Sequence, residues 1–298
     1  MLDIISLGDY YAPINDRDGF PDLRAQVNTI CGERFRRIDR FIQLCLLGAA
    51  RCAAGTALDG RTGLYIGSRF AAVCNTIKVQ EQMFVHGQIP KPANFINTLS
   101  NSAGYYVARN LNLQGKNIFV SRANASLEAV LELARLDLKN GTIEQALIGV
   151  VDEGAPVQAH HCQRMGIAQD TALGEGSHWF LLRRHSKTNG VENENALATI
   201  TDVQVLPDES SLRVWLDRQV AQHANTFIYN DPLKPAVFNS AAFNIAEWGL
   251  PLYEPTLDYY PSRTGGALIR FIQEKKQAAL MTLCTDEAGR TNVTHTVV

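Results

Sequence analysis

Hydrophobic and polar positions alternate along the chain in blocks that read as strand, helix, strand. Residues 1–8 open with an apolar, strand-like run. Residues 37–54 carry helical periodicity, and the small residues toward the end of that stretch predict close packing. Residues 63–67 form a short apolar strand bounded by glycines. Residues 95–110 mix small and aromatic side chains at helical spacing, and residues 117–120 read as a strand after the turn signal at Gly115. The clearest helix covers 125–139, where Leu127, Val130, Leu131, Ala134 and Leu138 fall on one stripe. Gly141 marks its end, and 146–151 is a wholly apolar strand of the kind buried on both faces. Strand, helix and strand of these lengths predict a βαβ unit with parallel strands and a right-handed crossover.

The second half repeats the pattern more weakly. Residues 236–238 read as a strand, 264–277 as a helix with Ala267, Leu268, Phe271 and Ile272 apolar, and 279–284 as a strand. The polar stretch 186–195 reads as a surface loop between residues 1–185 and 196–298. Two similar α/β halves predict a pseudo-duplicated layered fold forming one domain.

Composition narrows the function classes. The chain has 298 residues, 46% of them hydrophobic and 19% charged, and a formal net charge of -2. That balance argues against nucleic acid as the main partner, since phosphate binding needs a basic surface. The cluster Arg34, Arg36, Arg37 and Arg40 reads as a solvated helix start. The longest apolar stretch, 41–54, is interrupted by Gln43 and Arg51 and is too short to span a bilayer. No secretion signal opens the sequence. Six cysteines are scattered without a CxxC pair, as expected of reduced thiols in a cytoplasmic protein.

Several strings, in order, carry a resemblance. They are Arg36-Arg37-Ile38-Asp39-Arg40, Gly63-Leu64-Tyr65-Ile66-Gly67-Ser68, the stretch from Pro92 to Asn101 followed by Ala103-Gly104, Gly115-Lys116-Asn117, the run from Ala146 to Glu153, and Gly174-Glu175-Gly176, read as a turn. Their sequence and spacing over roughly residues 1–185 resemble the β-ketoacyl synthase family. The resemblance implies an α/β, thiolase-like layered fold (α/β/α/β/α) with two pseudo-duplicated halves, here shortened, chiefly in the second.

In that family the nucleophilic cysteine sits between a strand and the following helix. The similar string here is Arg122-Ala123-Asn124-Ala125-Ser126, so Asn124 occupies the cysteine position. Condensation begins by acylating a thiolate activated at a helix N-terminus, and an amide cannot form that thioester. Read without the family, Asn124 suits a helix N-cap. The resemblance also implies two catalytic histidines in the second half. The neighbourhood of the first, 227–232, has no histidine. The stretch 255–262 is similar in shape to the string of the second, with Leu257 at the lysine position and Ser262 at the histidine position.

Other constellations read as bland. Adjacent His160-His161-Cys162 rarely point to one metal ion and have no second ligand cluster. Cys74 and Cys162 lie off the expected strand-to-helix turn and read as buried thiols. His86, His178, His185, His223 and His295 have no acid at readable spacing. No nucleotide fingerprint or other cofactor signature is found.

The resemblance therefore implies a non-condensing, chain-length-factor-like partner of an active ketosynthase, not an enzyme on its own. A type II polyketide system of the aryl polyene kind is the narrower placement. The expected partners are that ketosynthase, in a heterodimer, and an acyl carrier protein acting through the complex. The family's pairing across a twofold axis implies an interface at Asn117, Ile118, Phe119 and Val120, joined by Phe95, Tyr105 and Tyr106. A malonyl-thioester decarboxylase and a homodimeric protein binding acyl groups or a carrier protein are the alternatives.

Overall fold

Strand β1 (Leu2–Pro13) carries the opening apolar run well past Gly8. Strands β2 (Gly63–Gly67), β3 (Asn117–Val120) and β4 (Gln145–Asp152) form where the apolar blocks predict them. With β5 (Gly174–Arg184), β6 (Ala198–Leu206), β7 (Thr226–Asn230), β8 (Ala279–Thr285) and β9 (Thr291–Val297) they build a nine-stranded sheet of order β3-β2-β4-β5-β1-β6-β9-β8-β7. This computed structural model describes residues 1–14, 20–154, 167–168, 171–185, 196–223, 225–230, 245–286 and 289–298. The strand expected at 236–238, the loop 186–195, His160-His161-Cys162 and residues 231–232 lie outside the described residues.

The helices are α1 (Arg24–Ile30), α2 (Arg40–Ala53), α3 (Val73–Gln80), α4 (Pro92–Ile96), α5 (Ser102–Asn110), α6 (Ser126–Lys139), α7 (Glu209–Gln222) and α8 (Arg263–Glu274). None among the described residues is long and apolar enough to cross a membrane. Two differ from expectation for local reasons. Helix α2 begins only at Arg40, because Arg37 is left-handed (φ 57°) and the Asp39 carboxylate caps the Ile42 amide at 2.9 Å. The helix expected over 95–110 breaks into α4 and α5. There the hydroxyls of Thr98 and Ser102 bond to the carbonyls of Phe95 and Ile96, competing with a continuous helix. Gly174-Glu175-Gly176 opens β5 and is strand, not turn.

The halves repeat one topology. The order β2-β4-β5-β1 recurs as β7-β8-β9-β6, with the first pair parallel and the next two antiparallel in each. They join where residues 2–4 pair with 198–200. The counterpart of β3 shrinks to one parallel bridge, Ile228 to Leu252, beside β7.

Side-chain alternation sorts these elements into five layers. Tyr65, Ile148, Val150 and Phe180 of the first sheet half share a core with Ile200, Val203 and Leu280 of the second. Helices α6 and α8 fill that core through Leu127, Val130, Leu131, Leu268 and Phe271. On the first half's outer face, Leu64, Ile66 and Trp179 pack against α2 and α5. On the second half's, Met281 and Leu283 pack against α7. The close approach predicted for α2 occurs at Gly48. A Cβ there would lie 2.3 Å from the Trp179 ring, and one at Gly149 would lie 2.4 Å from it.

Candidate functional site

Parallel strands β2, β3 and β4 end side by side, at Gly67, Val120 and Asp152. Loops at the carboxyl ends of such strands are the usual binding place in open α/β sheets. Here three segments converge: 68–70 after β2, the turn 121–125 between β3 and α6, and 152–154 after β4.

The turn is tightly specified. Ala123 is left-handed (φ 47°), a costly conformation for a residue with a Cβ. The Ser126 hydroxyl accepts from the Arg122 amide at 3.0 Å and lies 2.8 Å from the Ala123 carbonyl. Gly67 is required beneath it, since a Cβ there would sit 2.7 Å from the Ser126 carbonyl oxygen. Asn124 does not cap α6. Ala125 holds the cap position and makes no side-chain cap. The Asn124 amide oxygen instead accepts from the Arg69 guanidinium at 2.5 Å.

Behind Arg69, the buried Asp152 carboxylate accepts from the Ser68 hydroxyl (2.7 Å) and from the amides of Arg69 (2.9 Å) and Phe70 (3.2 Å). Burial pushes this carboxyl up to about 6, against these donors and the Ser262 hydroxyl, which restrain the shift. Ser262 precedes α8 as Ala125 precedes α6, so Asn124 and Ser262 stand near the N-termini of the two central helices. Leu257 packs against the central core. The hairpin joining β8 to β9 reaches the same turn through Asp286, 3.8 Å from the Arg122 guanidinium.

A second cluster lies deeper. Arg40 grips the fully buried Glu175 with two nitrogens, one at 2.7 Å, so this arginine is an ion-pair partner and not a solvated residue. Glu153 accepts from the Cys74 amide at 2.7 Å. Burial, with Asp39 and Glu175 nearby, pushes Glu153 up to about 8, and burial lifts Asp39 to about 6. The Cys74 thiol faces the Gly154 carbonyl at 3.2 Å and is raised by burial and Glu153, the opposite of an activated nucleophile. Asp39, Arg40 and Cys74 also line an open groove of about 970 Å³.

Histidine pairing escaped the sequence pattern. Buried His178 bridges Asp9 (2.6 Å) and the Tyr260 hydroxyl (2.9 Å), and His185 lies 2.7 Å from Asp3. Burial raises the Asp9 carboxyl, but the hydrogen bond and charge of His178, with Arg270 and Arg51, outweigh it and leave the carboxyl below its ordinary value. These partners are distant in sequence: the β1–β5 ladder brings the two aspartates to the histidines, and the segment before α8 brings Tyr260. Arg69 was missed for the same reason, since no spacing links it to Asn124. Among the described residues no group of three His, Cys, Asp or Glu is placed to hold a metal.

The surface residues expected at an interface are spread over neighbouring elements. Strand β3 is an outer edge of the sheet, with Asn117 exposed. Ile118 and Val120 pack inward on the central core, while Phe119 meets Phe41 edge-on. Tyr106 packs on Phe35, whereas Phe95 and Tyr105 remain 58% and 56% exposed.

The family profile "Beta-ketoacyl synthase, N-terminal domain" matches residues 12–179. The chain belongs to the β-ketoacyl synthase family. The match to the β-ketoacyl synthases takes in β2 to β4, the 121–125 turn and the Arg40–Glu175 pair, and stops before the second half. The solved structure "The ishigamide ketosynthase/chain length factor" superposes at a TM-score of 0.72 with 14% identity, covering 100% of this chain and 99% of that one. "PfaC Keto synthase-Chain length factor" gives 0.72 at 12% identity, covering 99% of this chain and 42% of that one. 3-Oxoacyl-(acyl carrier protein) synthase III of Pseudomonas aeruginosa PAO1 gives 0.62 at 14%, covering 99% and 98%. The five layers and repeated halves are thus the thiolase-like fold of ketosynthases. No curated protein matches the chain.

Proposed function

We propose that this chain is a non-condensing, chain-length-factor-type subunit. It pairs with an active ketosynthase in cytoplasmic type II polyketide elongation, of the aryl polyene kind or similar to fatty-acid synthesis. The carrying observation is the Arg69–Asn124 hydrogen bond at the turn before α6. An amide engaged there offers no atom that can carry an acyl group. Ser262 and Leu257, at the histidine and lysine positions, supply no group suited to decarboxylating an extender unit.

In this reading, the exposed edge of β3 (Asn117 to Val120) meets the equivalent strand of the ketosynthase, with Phe95, Tyr105 and Tyr106 flanking it. The partner performs acyl transfer and condensation on carrier-bound substrates, and this chain stabilises it and shapes the acyl pocket. Co-expression with a candidate ketosynthase, size-exclusion chromatography and a condensation assay test the reading. A one-to-one complex active only with both chains is the expected result. A partner equally active alone would overturn it. Malonyl turnover by the isolated chain would point to a decarboxylase, and a homodimer that ignores ketosynthases would point to a binding protein.

A further inference from the structure

The stretch linking α3 to α4 projects apolar side chains into water. Helix α3 ends in a π-helical turn, Glu81–Val85, closed by the His86 amide on the Glu81 carbonyl at 3.1 Å. The Gln88 amide then returns to the Gln82 carbonyl at 2.8 Å, so the arm is hydrogen-bonded in its protruding shape. Phe84 is 80% exposed, Val85 72% and Ile89 96%. Beside the arm, on α4 and the link to α5, Phe95, Ile96 and Leu99 are each more than half exposed. The Asn75 amide bonds to the Asn94 carbonyl at 2.7 Å and fastens α3 to α4.

These six side chains leave roughly 600 Å² of apolar surface in water, taking about 150–250 Å² for a whole aromatic side chain. That is at the upper end for the largest patch on a monomer, about 300–600 Å². It approaches the roughly 800 Å² per partner of a stable protein interface. Helix α5, which follows this patch, packs on edge strand β3. The Gly104 position shows how closely, since a Cβ there would lie 2.4 Å from the Asn117 amide oxygen.

We infer that the arm formed by residues 83–89 is a second docking element for the ketosynthase partner. It supplies apolar contact area, while β3 supplies strand pairing. The inference rests on the partner-subunit reading above. A protein fits this surface better than a lipid bilayer, because the neighbouring free strand edge needs hydrogen-bonding groups that hydrocarbon lacks.

The test is the triple variant Phe84→Ser, Val85→Ser, Ile89→Ser, titrated against the ketosynthase that the wild-type chain binds. Circular dichroism and the thermal midpoint of the free variant confirm folding. Hydrogen exchange over 81–91 is measured in the wild-type complex as an independent readout. Binding at least tenfold weaker, with slowed exchange of the arm in the complex, is expected. Unchanged affinity together with unprotected arm amides would overturn the arm's role while leaving the partner reading intact. So would a wild-type homodimer, or capture by anionic phospholipid vesicles, that the same substitutions abolish. A wild-type chain that binds no ketosynthase would overturn the underlying reading, and this inference with it.

Discussion

The Arg69 guanidinium donates to the Asn124 amide oxygen across the turn where the first sheet half meets α6. A cation thus already stands beside the residue that we propose holds the family's nucleophile position. It would stabilise a thiolate there as readily as it now orders an amide.

Replacing Asn124 with cysteine should therefore give a reactive thiol without giving an enzyme. Asn124→Cys is expected to alkylate with iodoacetamide well ahead of the buried cysteines, yet to form no condensation product. Peptide mass spectrometry and a product assay read the two outcomes. Condensation by this single variant would show that the second half supplies the missing decarboxylation chemistry after all.

Arg40 faces a fully buried Glu175, so removing the cation leaves a carboxylate with neither water nor counter-charge. Arg40→Met should cost about 3–5 kcal/mol, measured as a shift in the urea midpoint. Arg40→Met with Glu175→Met should recover most of that loss, because the stranded charge is gone.

Burial holds Glu153 up to about 8 against an ordinary value of 4.5. Between these values the folded state keeps a proton that the unfolded state has released. Stability then falls as pH rises, by at most about 1.4 kcal/mol per pH unit for one proton. His295, lowered by burial to about 4, acts in the opposite sense by favouring unfolding as pH drops below 6.5. Comparing the wild type with Glu153→Gln between pH 6 and 8 isolates the carboxylate. The decline should flatten in the variant.

Ala123 adopts a left-handed backbone in the middle of the site turn. Ala123→Gly should relieve it and stabilise the chain by about 0.5–1 kcal/mol, after allowing for glycine's greater freedom when unfolded. A raised thermal midpoint is the readout. A lowered one would mean that the methyl group packs more favourably than the backbone strain costs.

Much of the first half was legible because its signals are local, although β5 reads only as a turn at its start. The stripe from Leu127 to Leu138 and the apolar run 146–151 need no distant partner to declare a helix and a buried strand. The ends of α2 and the break between α4 and α5 were harder. They depend on single side-chain hydrogen bonds, from Asp39, Thr98 and Ser102, that hydrophobic period does not encode. Strand β9 escaped because threonine, asparagine and histidine fill five of its seven positions, although the layered packing buries nearly all of it. Within the site, Asn124 was visible from its string. Its partner Arg69, and the Asp9–His178 pair, become neighbours only once β2 and β3 align and β1 and β5 pair, and Tyr260 joins them from the segment before α8.

The parallel bridge at Leu252 has an effect far from the candidate site. Ile228 of β7 spends its amide on the Pro251 carbonyl and its carbonyl on the Tyr253 amide, and Pro251 has no amide proton to offer in turn. Among the described residues, one end of the nine-stranded sheet is therefore closed at Ile228, while no further strand pairs with β3 at the other. In the proposed pairing, strand addition at β3 would then be self-terminating: one neighbour would fill the vacant end and leave no like edge from which a fibre could run on.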